Sequence, residues 1–164
     1  MRTVAEIDAL IAADKALFGE PAWSGDGAVA KLVSPVIDHA GLIIGGLVLY
    51  MAAMTETAEQ RGNAALVLDD RPVQRLSFRP GHAHVNPPRH PTPPALRLLT
   101  LPPGRSRMHG WRDNRVWPRL DNVATAALME PEPPTISAAF ALFLETCGIS
   151  AYIPPPPSRP RLEL

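Results

Sequence analysis

Proline placement is the strongest constraint that this sequence puts on its own fold. The 164-residue chain contains 20 prolines, about twice the usual share for a globular protein. They are densest at 80–94 and 154–157. Proline neither donates a backbone hydrogen bond nor continues a helix, so regular structure is confined to the stretches between these segments. We expect 80–94 to be an extended or polyproline-like loop.

The stretches between the prolines predict both helices and strands. Residues 3–18 have apolar positions at spacings of three and four, which predicts an amphipathic helix. Thr3 and Glu6 match a capping box at its start. Residues 137–147 predict a second helix that ends at Gly148, and 119–129 predict a shorter one. Strands are predicted at 29–33, 36–38, 42–52, 65–68, 73–79 and 95–101.

This order of elements predicts a single α+β domain over residues 1–153. We expect an N-terminal helix, an antiparallel sheet of four or five strands, and C-terminal helices. Residues 154–164 are expected to form a proline-rich tail. The uncharged run 40–55 is shorter than the ~20 residues of a membrane-spanning helix. It is therefore predicted to be buried strand, covered on both faces.

Membrane association is not expected, and the localisation that follows is a bacterial cytoplasm. Met1 and Arg2 are followed by the acidic residues Glu6 and Asp8, not by the apolar core of a secretory signal. A second possibility treats the run 40–55 as an exposed interface strand of a self-assembling structural protein. The sequence leaves open whether the chain forms a homo-oligomer.

The formal net charge of zero conceals a strong asymmetry. Residues 71–119 contain ten arginines and one acid, Asp113, whereas the two flanking parts of the chain are acidic. Two interpretations stay open: the basic part pairs with the acidic flanks, or it binds an acidic protein or nucleic acid through bidentate arginine contacts. The candidate binding residues are Arg75, Arg79, Arg105, Arg112 and Trp111. For Trp111 the alternatives are base stacking and packing in the core.

Three histidines of the basic part are candidates for chemistry. His82 and His84 would share one face of an extended strand, and with His109 they could hold a zinc-like divalent metal. Without a metal, His84 and His109 are candidate general acid and base, and Arg107 is a candidate for stabilising phosphoryl charge. Such a set would suit a hydrolase of the RNase or phosphodiesterase kind. The single cysteine, Cys147, is expected to be a buried structural thiol.

Residues 90–100 (HPTPPALRLLT) resemble the Tyr-Pro-x-x-Pro-Pro-x-x-Arg-Phe-x-Thr segment of ubiquitin-conjugating enzymes. A glycine pair at 45–46 precedes this segment, and His109, Trp117-Pro118 and the proline-rich 130–134 follow it in an order similar to that family's. The resemblance implies the conjugating-enzyme (RWD-type) α+β fold. It departs from the family at the decisive point, because no cysteine lies between Thr100 and Trp117 where the thioester cysteine belongs.

The leading functional prediction is therefore a non-catalytic adaptor that resembles ubiquitin-conjugating enzymes, within a bacterial ubiquitin-like or defence system. Its Arg/His-rich segment would bind an acidic partner, most simply a protein, with nucleic acid as the other option. The alternative is a metal-binding protein or hydrolase built on His82, His84 and His109. Whether the chain is an enzyme depends on whether these histidines converge, which their spacing does not decide.

Overall fold

The N-terminal helix, α1 (Val4–Ala12), begins at the predicted capping box. In this computed structural model, which describes residues 2–25, 27–55, 60–118 and 123–159, the Thr3 backbone N–H donates to the Glu6 carboxylate at 2.6 Å. The Glu6 N–H donates back to the Thr3 hydroxyl. The helix ends earlier than predicted. Lys15 Nζ is buried and donates to the carbonyls of Leu10, Ile11 and Ala13, which satisfies acceptors that the helix end leaves free.

The next four long strands form an antiparallel meander. After the short strand β1 (Lys15–Leu17), the chain forms β2 (Val29–Asp38), β3 (Ile43–Met54), β4 (Gly62–Leu68) and β5 (Arg71–Phe78). The two predicted strands around Pro35 are one strand, because a register shift between Pro35 and Ile37 accommodates the proline. The β4–β5 connection is a two-residue turn in which Asp69 and Asp70 both have positive φ.

Four shorter strands follow, and two of them, together with β1, make the main sheet larger than predicted. They are β6 (His84–Val85), β7 (Thr100–Leu101), β8 (Arg107–His109) and β9 (Ala127–Leu128). Seven strands form one sheet in the order β1-β2-β3-β4-β5-β8-β9, and β6 pairs with β7 separately. The prediction of four or five strands was therefore too low, since a two- or three-residue strand has too little sequence to show a period. In the predicted strand 95–101, only Thr100–Leu101 pairs, after a 3-10 turn at Pro94–Leu96.

One C-terminal helix is described, where two were predicted. α2 (Ile136–Thr146) begins at Thr135, whose hydroxyl accepts from the Ala138 N–H at 3.1 Å. The other predicted helix, 119–129, falls partly outside the described residues. Its described part is extended and ends in β9, because residues 123–126 are held by side chains from distant loops, as set out below. The peptide bonds before Pro91, Pro118 and Pro131 are cis.

The hydrophobic core lies on one face of the meander, between the sheet and the two helices. α2 packs against β4 and β5, and Phe140 and Phe143 are fully buried with Leu49 and Leu66 of the sheet. The opposite face is open: Tyr50 of β3 is 45% exposed. The expectation that both faces of β3 are covered was therefore wrong. No helix in the described ranges is long and apolar enough to cross a membrane.

The described part of the proline-rich tail contacts the domain. The Trp23 indole N–H donates to the Pro154 carbonyl at 2.7 Å, and the Arg159 N–H donates to the Thr55 carbonyl at 2.9 Å. These two hydrogen bonds join the tail to the loop before β2 and to the end of β3.

Candidate functional site

Pairing of β5 with β8 brings arginine and histidine side chains together on the face of the sheet opposite the helices. Arg75 of β5 lies directly opposite His109 of β8, and Ser77 lies opposite Arg107. Leu76 and Met108, which alternate with these residues, pack against the core. Because side chains alternate between the faces of a strand, Arg75, Arg107 and His109 share the face that the helices leave open.

His84 reaches the same place from β6. Its ring meets that of His109 edge to face, with centroids 5.2 Å apart and planes at 74°. His84 Nε2 lies 2.7 Å from the Ala124 carbonyl oxygen and 3.1 Å from Asn86 Oδ1. Both of these atoms only accept hydrogen bonds. Nε2 therefore carries the hydrogen, and in the neutral ring Nδ1 is an acceptor. We name Arg75, Arg107, His84 and His109 the Arg/His cluster.

Two buried asparagines hold the segment that supports the cluster. The Asn86 amide donates to the carbonyls of Leu96 and Ala126, and its oxygen accepts from the Ala126 N–H. Asn114 makes the same kind of two-way contact with the backbone of Thr125. Neither residue was predicted from the sequence. For Asn86, an asparagine inside the proline-rich loop 80–94 is a signal that could have suggested it, whereas Asn114 lies in the 3-10 turn Trp111–Asn114 and has no such signal. Together they place the Ala124 carbonyl against His84.

The two arginines of the cluster donate to imidazoles. Arg75 Nη2 lies 3.1 Å from His109 Nε2, and Arg107 Nη2 lies 3.1 Å from His82 Nε2. Arg107 Nη1 also donates to the His82 carbonyl at 3.3 Å. Nε of each arginine is buried with no hydrogen-bond partner. Within the described residues neither guanidinium has an ion pair with a carboxylate, although Arg107 is only 2% exposed.

Burial and like charge together disfavour protonation throughout the cluster. Burial lowers the pKa of Arg75, and burial together with the charge of Arg75 lowers that of Arg107. Burial is also the main cause that lowers the pKa of His109 to about 2, followed by the charge of Arg75. The pKa of His84 is lowered chiefly by burial. Since arginine stays protonated in proteins, the cluster at neutral pH has two positive guanidinium groups and two neutral imidazoles.

Other arginines of the basic segment do pair with the acidic flanks. Arg105 contacts Glu130 at 2.5 Å and Glu132 at 3.2 Å, and Arg79 lies 3.8 Å from Glu132. Arg115 pairs with Asp8, and its hydrogen bonds, followed by one from Trp111, lower the pKa of Asp8 to about 2. The internal pairing that the charge asymmetry suggested is therefore present at these residues.

The structure places the predicted binding residues in four different settings. Arg75 joins the cluster, whereas Arg79 and Arg105 belong to the ion-pair network with Glu130 and Glu132. Arg112 is exposed on a 3-10 turn over Trp111–Asn114. Trp111 is 4% exposed, and its indole N–H donates to Asp8 at 2.8 Å. Base stacking and core packing were both considered for Trp111, and its position is that of a residue that packs in the core.

The predicted metal ligands only partly converge. His84 and His109 are in contact, but His82 Nε2 accepts from Arg107 and the Nε2 atom of His84 is hydrogen-bonded to the backbone. Over the described ranges, no group of three or more His, Cys, Asp or Glu side chains is arranged to hold a metal ion. The site for a zinc-like metal stays a prediction, because the geometry of the described residues does not supply a set of ligands for it.

Cys147 lies at the end of α2, far along the chain from the cluster. It is fully buried, and Gln74 Nε2 donates to its sulfur at 3.4 Å. Burial raises the pKa of its thiol to about 12. A thiol in this state is not a nucleophile at neutral pH, which agrees with the structural role expected for it.

Comparisons with known proteins found no matching family model, no matching curated protein and no matching solved structure.

Proposed function

We propose that this chain is a non-catalytic binding protein, of the kind that resembles ubiquitin-conjugating enzymes but lacks their nucleophile. Its Arg/His cluster would receive an acidic group of a protein partner. The observation that carries the proposal is the pair of guanidinium groups, Arg75 and Arg107, that have no carboxylate partner among the described residues. Buried charges in proteins are normally paired, so a ligand that supplies negative charge would stabilise this arrangement.

The order of elements supports the adaptor interpretation. The described residues form an N-terminal helix, an antiparallel sheet and a C-terminal helix, which is the α+β class that the adaptor interpretation requires. The segment between Thr100 and Trp117 has no cysteine, and Cys147 is buried. A conjugating-type thioester therefore has no accessible thiol in this part of the chain, which favours binding over transfer.

The charge distribution favours a protein partner over nucleic acid. Nucleic acid is bound by a stripe of exposed cationic side chains that follows the phosphates. Here Arg79, Arg105 and Arg115 are already paired with carboxylates of the chain. Of the arginines that remain, Arg75 and Arg107 lie together at one recessed place, which suits a single acidic group.

The hydrolase alternative is less well supported. A general acid or base works best with a pKa near the operating pH. His109, whose pKa is lowered to about 2, stays unprotonated at neutral pH and is a weak base. The pairing of His84 and His109 is better explained as part of the wall of a binding site.

Fluorescence anisotropy with labelled acidic peptides tests the proposal. Two peptides share one scrambled sequence and differ only in their acidic residues, which are glutamates in one and phosphoserines in the other. Both are compared with a single-stranded oligonucleotide of equal charge. We expect at least one peptide to bind more tightly than the oligonucleotide, and Arg107→Gln to weaken that binding about tenfold or more. Arg159→Gln, the same change at an exposed arginine of the tail, is the matched control and should leave it within about twofold. If neither peptide binds, or if Arg107→Gln binds like the parent chain, the proposal is wrong.

A further inference from the structure

We infer that the Arg/His cluster is a binding site for a phosphate monoester, with Arg75 and Arg107 as its two cationic ligands. This inference rests on the proposed function, because it names the acidic group that the partner would present. It goes further in one respect: it predicts that the bare phosphate group binds at the cluster without the rest of the partner.

The charge of the cluster matches that of a phosphate monoester. Two guanidinium groups lie on adjacent strands, close enough for the charge of Arg75 to act on Arg107. A phosphate monoester has nearly two negative charges at neutral pH. A carboxylate or a phosphodiester has one, and either would leave one guanidinium uncompensated in a partly buried site. The monoester is therefore the common biological oxyanion that neutralises the pair.

The hydrogen bonds that the two guanidinium groups of the cluster make go only to neutral acceptors. Arg107 directs both terminal nitrogens at His82, one at the ring and one at the carbonyl. Arg75 directs Nη2 at His109, and its Nη1 has no hydrogen bond to a described residue. A guanidinium binds phosphate through two parallel charge-assisted bonds, which are about twice as strong as bonds to a neutral acceptor. An oxyanion would therefore compete well with these imidazole contacts.

His82 lies where a ligand would enter. It belongs to the bend before β6 and is exposed, whereas Arg107 beneath it is buried. Rotation of the His82 ring away from Arg107 would uncover Nη2 of that guanidinium, whereas Nη1 would keep its hydrogen bond to the His82 backbone carbonyl. Arg75 and His84 are half-buried, so the cluster reaches the surface beside His82. The histidine is thus a neutral occupant that an incoming phosphate would replace.

Isothermal titration with small anions, at constant ionic strength in chloride, tests the inference directly. The probes are phenyl phosphate, dimethyl phosphate and acetate, which represent a monoester, a diester and a carboxylate. We expect phenyl phosphate to bind at one site per chain and the other two to bind about tenfold more weakly or not at all. Inorganic phosphate should resemble phenyl phosphate, which would show that the phosphate group alone is recognised.

Variants then locate the site. Arg75→Gln and Arg107→Gln should each weaken phenyl phosphate binding about tenfold or more, whereas Arg159→Gln, at an exposed arginine of the tail, should leave it within about twofold. His82→Ala removes the occupant and should maintain or strengthen binding, and since His82 is exposed this variant tests the site even if Arg107→Gln fails to fold. Loss of binding in His82→Ala would overturn the proposed entrance.

The outcomes separate this inference from the proposed function. If acidic peptides bind through Arg107 but phenyl phosphate does not bind, the function stands and the phosphate site is wrong. If phenyl phosphate binds through Arg75 and Arg107 but no peptide binds, the site stands and the protein-binding function is wrong. If all three anions bind equally, or if binding is unchanged in both arginine variants, the anions are attracted only by non-specific charge and the inference is wrong.

Discussion

Arg75 Nη2 lies 3.1 Å from Nε2 of His109, the residue directly opposite it on β8. The same Nη2 also lies 3.4 Å from His109 Nδ1. A guanidinium can only donate, so one of these two ring nitrogens must offer a lone pair. The His109 ring is also fully buried. This contact therefore holds His109 in its neutral form, and two properties of the protein follow from it: the pH dependence of stability and the charge that the cluster offers to a ligand.

Stability should fall as the pH drops below about 6.5. In the unfolded chain His109 binds a proton near its ordinary pKa of 6.5, whereas in the folded protein its pKa is about 2. Below pH 6.5 the unfolded state therefore binds more protons, and the free energy of unfolding should decrease by ~1.4 kcal/mol per pH unit from this residue. Urea unfolding between about pH 5 and pH 7.5, followed by tryptophan fluorescence, measures this slope.

The matched controls for this slope are two histidine variants. His109→Gln should flatten the dependence on pH, whatever its effect on absolute stability. His39→Gln changes an exposed histidine and should leave the slope as it is. If His109→Gln retains the slope of the parent chain, the neutral buried state of His109 is contradicted.

Anion binding should be accompanied by proton uptake at His84. Burial, together with the charges of Arg107 and Arg75, lowers the pKa of this ring in the folded protein. A bound anion supplies the opposite charge, so it should raise that pKa and bind more tightly as the pH falls. The other groups facing the site are His82, which is exposed, and His109, which stays neutral.

Sulfate is the suitable probe for this effect because its own charge is constant over the range. Titrations in buffers of different ionisation enthalpy report the protons taken up on binding. His84→Ala should abolish the uptake, while His39→Gln should not alter it. Affinity for sulfate that does not change with pH would show that His84 does not respond to the ligand.

Cys147 should be unreactive in the native protein. Burial raises the pKa of its thiol to about 12, so almost no thiolate is present at neutral pH. We expect an aromatic disulfide reagent to label the thiol only as fast as the protein unfolds, and labelling should become rapid in urea. Fast labelling of the native chain would mean that the end of α2 opens locally.

Replacing Asn86 or Asn114 by alanine should destabilise the fold by about 2–4 kcal/mol, because each change leaves buried backbone groups without partners. The backbone groups concerned belong to Thr125, Ala126 and their neighbours. Asn63→Ala, at an exposed position of β4, should cost less than about 0.5 kcal/mol. Urea unfolding of the three variants makes the comparison. Equal costs at all three positions would contradict the role assigned to the two buried amides.

Local patterns in the chain were sufficient to predict much of the meander and both described helices. The start of α1 depends on Thr3 and Glu6, three residues apart, and the β4–β5 turn depends on Asp69 and Asp70. The apolar runs predicted most of β2, β3, β4 and β5, although the continuation of β2 through Pro35 was missed. These features rest on interactions between residues close in sequence, and such interactions leave a periodic or capping signal.

The cluster itself depends on contacts that no local pattern reports. Arg75 meets His109 across 34 residues, and Asn86 meets Ala126 across 40. The strand β8 that carries Arg107 and His109 has only three residues and exists because β5 and β9 pair with it. Residue types alone suggested that these arginines and histidines were candidates. Long-range packing decides the rest: how deeply these side chains are buried, whether each is neutral or charged, and that no described carboxylate lies beside Arg75 and Arg107. The reason is that desolvation and ion pairing depend on neighbours that only the folded chain brings together.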